Sequence, residues 1–454
     1  MRQPRPQRKG GPSPQGGGLA RRPRCALHAN RRRSAGEVPM RAMLLQGAAA
    51  RLGDLRLALS ERDYRRYALG HFAATIAFWM QRIAVGWVVW EQTGSATWLG
   101  VIAFAELFPS ILASFAGGEL ADRTSGPRVM FAGQLGVTSV AGALFWLQIS
   151  GGLDARAVAL CMVALGVVAG AMLPARLSMP QELVRPELLP SALAVNATGF
   201  NLSRMVGPAL AAPLLALMGA GAVFFVCLAA GLAFLVMLAP IAWARGGRGP
   251  GLRVPTRAVF EDLRRERLTL SVILLQFAQG ALIRPASDLF PAFADRAFGA
   301  GEAGLAALNA ALGAGAVLGA LALSKPREDA AALRFILLAS AALCASLLAF
   351  AFTGALGWAL LVLVIHGGAL TGTNIGALTY VQSHTPADRR GRVLALYGVV
   401  FRVAPALGAL VFGVVADLAG LRATTAAFAL SGLGVSLLWW REIRPGGRTR
   451  PAAA

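Results

Sequence analysis

The chain has 454 residues, of which 56% are apolar and only 15% are charged, and its formal net charge at pH 7 is +22. A soluble globular protein carries about 25% charged residues, so this composition excludes an ordinary soluble enzyme. Within the first 60 positions, thirteen basic residues against two acidic ones supply half of the net charge. Because the charge is concentrated there, it does not indicate a nucleic-acid-binding protein, and we expect no nucleic-acid partner.

Residues 1–60 form a basic segment that we predict to be a disordered cytoplasmic tail. Positions 1–39 are rich in Gly, Pro and Arg and lack apolar periodicity, which is typical of disorder. The arginine run at 31–33 precedes an apolar stretch of only eight residues, 43–50, which is too short for a secretory signal. An alternative is that translation starts at Met40 or Met43.

Apolar stretches of about 20 residues, the length that spans a bilayer as a helix, recur along the rest of the chain. We predict twelve transmembrane helices at 67–90, 97–121, 128–149, 156–174, 190–217, 221–243, 268–293, 302–323, 331–352, 356–379, 392–417 and 422–440.

Basic residues are distributed unevenly between the connections of these twelve segments. The even-numbered connections contain 17 Arg or Lys residues, whereas the odd-numbered ones contain only Arg156, Arg296 and Arg422. Membrane proteins keep basic connections in the cytoplasm. We therefore predict a multi-pass protein of the cell inner (plasma) membrane with both termini cytoplasmic.

The widest break, at 244–267, divides the spans into six and six and is predicted to be a cytoplasmic linker. Gln181 and Gln382 are 201 positions apart, and so are three further matched pairs. The further pairs are Phe200 with Phe401, Gly118 with Gly319, and Gly219 with Gly420. This near-constant offset predicts an all-α fold of two pseudo-symmetric six-helix bundles. The predicted bundles are 61–243 and 268–441, followed by a tail at 442–454.

The segment GELADR at 118–123, followed by Arg128, lies between the second and third predicted helices. It resembles the signature of the major facilitator superfamily, specifically its enterobactin-exporter-like and drug:proton antiporter branch. The stretches 79–87, 173–176 and 388–397 are similar to the same branch. The resemblance implies that Gly118, Asp122, Arg123 and Arg128 form a conformational latch on the cytoplasmic side.

Gly207 and Pro208 in the fifth helix are similar to the antiporter motif of this branch. Small residues allow close helix contact, and a proline removes a backbone donor and bends the helix. The resemblance therefore favours export over uptake.

Glu106 and Arg82 are ionisable residues inside predicted spans, where a charge is costly and usually functional. Each lies about 12–14 Å from the outer end of its helix, so the two side chains can pair. One hypothesis makes Glu106 a proton carrier with Arg82 as its counter-charge. The other makes the pair a permanent salt bridge that fixes the first helix against the second.

Further polar residues within the spans are candidates for a substrate cavity. Arg284 and Asp288 are four residues apart and share a helix face, which suits either a local ion pair or a substrate contact. Arg402 lies near mid-membrane with no carboxylate nearby in sequence, and a role in binding an anionic ligand is one interpretation. Asn201 and Arg204 can face together, either lining a cavity or joining two helices.

Together these observations predict a proton-coupled secondary exporter of a small amphipathic molecule, such as a drug, a siderophore or a secondary metabolite. An importer of the same fold is the alternative, and a polytopic membrane enzyme is less consistent with four scattered histidines. The predicted partners are the substrate, protons and membrane lipid. We expect a monomer with neither cofactor nor metal.

Overall fold

The computed structural model describes residues 57–244, 267–322 and 329–443, and all regular structure in these ranges is helical. The first half contains α1 (Arg62–Thr93), α2 (Ala96–Arg123), α3 (Gly126–Ile149), α4 (Ala155–Leu183) and the long run Leu189–Ala244. The second half contains α7 (Arg267–Leu282), α8 (Gly301–Ala322), α9 (Asp329–Ala351), α10 (Leu356–His384), α11 (Ala387–Ala419) and α12 (Leu421–Ile443).

Eleven helical stretches of the described chain are long and apolar enough to cross a membrane, and the longest of them is Pro186–Ala244 with 59 residues. At about 1.5 Å per residue, that stretch is more than twice as long as a hydrocarbon core is thick. Its helical dihedrals are interrupted at Gly219, which has φ 76° and ψ 178°. We name the part before this residue α5 and the part after it α6. The prediction of an all-α membrane protein with twelve spans is therefore confirmed.

The two halves repeat the same turn. Gly420, the counterpart of Gly219 at the 201-residue offset, also has positive φ, at 88°, and separates α11 from α12. Positive φ is accessible to glycine at little cost because it lacks a Cβ atom. The pairing of these two glycines in the sequence therefore corresponds to equivalent tight turns in the structure.

Several helices extend beyond their predicted ends. α4 continues to Leu183 rather than 174, α10 to His384 rather than 379, and α11 begins at Ala387 rather than 392. Apolar periodicity reports only the part of a helix that lies in hydrocarbon. The polar ends remain helical because their backbone hydrogen bonds form equally well in water.

The seventh predicted span, 268–293, is not one continuous helix, and that prediction is corrected. After α7 ends at Leu282, the chain forms a 3₁₀ turn at Arg284–Leu289, a short α-helical turn at Phe290–Ala292 and a π-helical turn at Phe293–Ala297. Pro285 and Pro291 have no backbone N–H and clash with the preceding turn. These two prolines explain why the regular hydrogen-bond ladder stops in this segment, which we name the α7 extension (284–297).

Corresponding helix pairs pack closely in the two halves. Glycines at the α2–α4 contact and at the α8–α10 contact leave no room for a Cβ atom beside the partner backbone. They are Gly117, Gly166 and Gly170 in the first pair and Gly315, Gly319 and Gly367 in the second. Between the halves, the main contacts join α2 to α11 and α5 to α8.

Successive helices cross the bundle in opposite directions, so their ends lie at two faces. We name the end at which α1 begins and α12 ends the terminal face, and the other end the opposite face. Parts of the predicted tails and linker lie outside the described residues. They are residues 1–56 of the first tail, 245–266 of the linker and 444–454 of the last tail. The predicted boundaries of bundles, linker and tails stay predictions.

Candidate functional site

Arg82 of α1 forms ion pairs with two carboxylates from different halves of the chain. Its Nη1 donates to Oε2 of Glu106 at 2.9 Å, and its Nη2 donates to Oδ1 of Asp288 at 2.6 Å. The side chain of Arg82 is 27% exposed, and each carboxylate side chain is 13% exposed. We name these three residues the Arg82 cluster.

The cluster lies deep along the helices. Arg82 precedes the end of α1, Thr93, by eleven residues, and Glu106 follows the start of α2, Ala96, by ten. At 1.5 Å per residue, both lie about 15–17 Å from the opposite face, near the middle of a hydrocarbon core about 30 Å thick. The predicted proximity of Arg82 and Glu106 agrees with the observed pair.

Asp288 reaches the cluster because it lies on the α7 extension rather than on a regular helix. The expected local pair of Asp288 with Arg284 is absent from the ion pairs of the described residues. Four-residue spacing places two side chains together only on an α-helix. The backbone at 284–289 is a 3₁₀ turn, so the expectation that Arg284 and Asp288 share the face of an α-helix is corrected.

The charges of the cluster do not balance. One guanidinium faces two carboxylates, which repel each other. An uncompensated charge in a low-dielectric setting is costly. The cluster therefore holds one carboxylate more than its single guanidinium balances.

Arg284 lies beside the Arg82 cluster, and its guanidinium contacts an aromatic ring. Its guanidinium carbon lies 4.0 Å from the centroid of the Phe401 ring, in a cation–π arrangement. Its Nη1 is buried and has no hydrogen-bond partner within the described chain. Phe401 itself stacks on Tyr397, whose hydroxyl accepts a hydrogen bond from Gln276 Nε2 at 3.1 Å.

Arg204 of α5 makes the corresponding contact in the first half. Its guanidinium lies 5.6 Å from the centroid of the Trp79 ring. Gly207 allows this close approach of α5 to α1, since a Cβ atom there would lie 2.5 Å from Trp79 Cβ. Pro208, next in the antiporter-like motif, is buried in the same helix.

Two further predicted cavity residues stand apart from the cluster. Asn201 is exposed and donates to the backbone oxygen of Ala197 on its own helix, so it does not join two helices. Arg402 is partly exposed on α11, and the described chain offers it no ion pair. The positive charge of Arg176 on α4 repels it.

The residues of the predicted latch lie near the terminal face. A Cβ atom at Gly118 would meet nothing within 4 Å. Arg123 pairs with Glu119 one turn earlier on the same helix, and Arg128 is exposed. The side chain of Asp122 lies outside the described residues.

The structure adds a cluster of contacts at the opposite face that the sequence did not indicate. Asp417 of α11 accepts hydrogen bonds from Ser95 Oγ at 2.6 Å, Ala96 N at 2.8 Å and Thr97 N at 2.9 Å. These donors belong to the first turn of α2 and its N-cap, so a carboxylate from the second half caps a helix of the first.

A second set of contacts joins the halves at the same face. Trp90 Nε1 donates to Asp295 Oδ2 at 3.0 Å, and Arg296 Nη2 donates to the backbone oxygen of Gly94 at 2.6 Å. The Arg296 guanidinium also lies 4.6 Å from the Trp90 ring centroid. We name these contacts, together with those of Asp417, the opposite-face clasp. No spacing in the sequence relates Trp90 to residues some 205 positions later.

Two comparisons of the sequence with known proteins both identify membrane proteins of export. Residues 58–444 match the model of a family described as transmembrane secretion effector. The multidrug efflux pump Tap of Mycolicibacterium fortuitum is 29% identical over 366 residues, which cover 77% of this chain and 88% of the pump.

Solved structures of transporters are similar in fold. A POT family transporter in complex with a thioalcohol-conjugated peptide has a TM-score of 0.67 at 11% identity, covering 83% of this chain and 95% of that one. A bacterial homologue of the human lysosomal transporter Spinster has a TM-score of 0.63 at 16% identity, covering 84% and 96%. At such identities the likeness concerns the fold alone.

Proposed function

This chain belongs to the transmembrane secretion effector family of the major facilitator superfamily, and from this premise we propose that it exports a small amphipathic molecule in exchange for protons. The family description and the 29% identity to an efflux pump support export rather than uptake. The substrate is a drug, a siderophore or a secondary metabolite. The transport cycle is alternating access between conformations open at one face or the other.

The observation that supports proton coupling is the bridge by which one arginine, Arg82, holds carboxylates of both halves. Protonation of Glu106 or Asp288 removes one ionic partner of Arg82. Loss of the Asp288 contact removes a tie between the halves, so proton binding changes the energy difference between the two conformations. A proton gradient then drives the cycle.

The distribution of basic connections supports the orientation. With the terminal face in the cytoplasm, as the positive-inside rule favours, the opposite-face clasp closes the outer side of the plasma membrane. Gly118, Asp122, Arg123 and Arg128 then lie at the cytoplasmic side. We assign them to a latch that engages when that side closes, and we assign Asn201, Arg204, Arg284, Asp288 and Arg402 to the substrate cavity.

Transport in inside-out membrane vesicles tests this function. A growth screen of an expressing strain first identifies a compound to which the protein confers tolerance, and the labelled compound is then offered to vesicles with an acidic interior. We expect acid-driven accumulation, and we expect Glu106→Gln to reduce it by about tenfold or more because a neutral amide cannot bind the proton. Glu91→Gln, an exposed substitution near the end of α1, is the matched control and should transport normally.

The direction of transport is tested in vesicles of the opposite orientation. Uptake into right-side-out vesicles that is undiminished in Glu106→Gln would contradict both export and the coupling role of Glu106, and would favour the importer alternative.

A further inference from the structure

Arg204 and Arg284 are two guanidinium groups that contact aromatic faces. Arg204 lies over Trp79 and Arg284 over Phe401. Neither takes part in an ion pair of the described residues, whereas Arg82 has two. The two arginines come from different halves of the chain, on α5 and on the α7 extension.

A stacked guanidinium keeps its hydrogen-bond donors available. An aromatic ring binds the face of the group, whereas the five N–H donors point outward in its plane. In Arg284 one of these nitrogens, Nη1, is buried without a hydrogen-bond partner. An unsatisfied buried donor is destabilising, and a ligand that accepts a hydrogen bond there removes the penalty.

The charges of this region do not cancel. Glu106 and Asp288 both bind Arg82, and although Asp288 also attracts Arg284, these two carboxylates face three arginines. Arg204 and Arg284 repel each other, and each is also repelled by Arg82. An anion placed between them relieves that repulsion, and both side chains are partly exposed, so a ligand can reach them.

Aromatic groups surround the arginines. Trp79 contacts Phe78 and Phe200 edge to face, with centroid distances of 5.6 and 6.1 Å, and Phe200 is 45% exposed. Trp79 Nε1 is a further buried donor without a hydrogen-bond partner. The surroundings therefore suit a ligand with an apolar, ring-containing body next to its acceptor group.

We propose that the exported substrate is an amphipathic organic anion of the carboxylate class, with its anionic group bound between Arg204 and Arg284 and its aromatic body against Trp79 and Phe401. This rests on the proposed function and narrows it, because an anion rather than a cation occupies the cavity. The carboxylates of the Arg82 cluster remain engaged by the arginine and serve the proton.

Binding of three ligands with the same ring system tests the proposal. Calorimetric titration of the purified full-length protein in detergent, without a gradient, compares 1-naphthylacetate, the neutral 1-naphthylacetamide and the cationic 1-(1-naphthyl)ethylamine. We expect the carboxylate to bind about tenfold more tightly than the amide, since hydrogen bonds to a charged acceptor are the stronger ones. The amine should bind more weakly than the amide.

Variants assign the effect to the two arginines. Arg204→Gln and Arg284→Gln should each weaken binding of the carboxylate about tenfold and change binding of the amide less than about twofold. Arg284→Lys keeps the charge and should keep the preference for the carboxylate, which separates loss of charge from misfolding. Arg422→Gln, at an exposed arginine of α12, is the control and should bind like the wild type.

Equal affinity for the three ligands, a preference for the amine, or unchanged carboxylate binding in both Gln variants would overturn the proposal. Because this measurement needs no proton gradient, it is independent of antiport. Anion-selective binding together with normal acid-driven transport by Glu106→Gln would refute the coupling mechanism and leave the anion site standing.

Discussion

The Arg82 cluster places three ionisable side chains at mid-depth of the bundle, each 27% exposed or less. The charges are tolerable because both carboxylates pair with Arg82, and removing Arg82 leaves two buried carboxylates without a counter-charge. We expect Arg82→Ala to lower the free energy of unfolding by roughly 3 kcal/mol, the range found for broken buried pairs.

A matched variant separates charge from packing at this site. The triple substitution Arg82→Met, Glu106→Gln, Asp288→Asn removes all three charges and keeps similar volumes, so it should recover most of the stability lost in Arg82→Ala. Thermal unfolding in detergent measures both variants. Equal stability of Arg82→Ala and wild type, or a triple variant no better than the single one, would contradict the ionic account of the cluster.

Individual site residues were predictable from the sequence to different degrees. Arg82 and Glu106 were identified as a pair because equal depths on consecutive helices follow from counting residues. Asp288 was singled out as a charge in the membrane, but its partner was not, because the pairing depends on how 284–297 departs from an α-helix. Asp417 was missed because the sequence does not show which helix N-terminus an acidic residue will cap.

At the scale of elements, the helices themselves follow from apolar length, because a backbone in hydrocarbon must satisfy its hydrogen bonds internally. The repeat offset also identified equivalent turns, at Gly219 and Gly420. The α7 extension was not predicted as irregular, although Pro285 and Pro291 were visible. A proline can merely kink a membrane helix, and the sequence does not show which neighbours will satisfy the freed carbonyl groups.

The tight turn between α5 and α6 gives a prediction at this scale. Gly219→Ala places a Cβ atom at φ 76°, which costs about 1–2 kcal/mol for an L-residue. Thermal unfolding should show this loss, whereas Gly434→Ala, inside α12 with nothing within 4 Å of the added atom, should lose no stability because alanine favours a helix. Unchanged stability of Gly219→Ala would mean that the turn rearranges without cost.

At the scale of the whole molecule, the two halves meet in the opposite-face clasp. Asp417 accepts three hydrogen bonds from the other half, and loss of an N-cap acceptor costs about 1 kcal/mol. Asp417→Ala should therefore shift the conformational balance roughly fivefold toward the state open at this face.

Spin labels at positions 150 and 354, which are exposed residues of the two halves at this face, report the shift. Opening of this face increases the fraction of molecules in which the two labels are far apart. Asp154→Ala is the matched control, because Asp154 caps α4 within its own half by accepting from Ala157 N. If both variants give the same distances as the wild type, the clasp does not govern the conformation.

The connections at the opposite face are short: residues 94–95, 150–154, 219, 298–300, 352–355 and 420. Connections of one to five residues leave almost no protruding polypeptide for an antibody to bind or a protease to cleave. An affinity reagent raised against this surface must recognise crevices between helix ends, and an epitope tag that preserves the turns belongs in 150–154 or 352–355, the two longest of these connections.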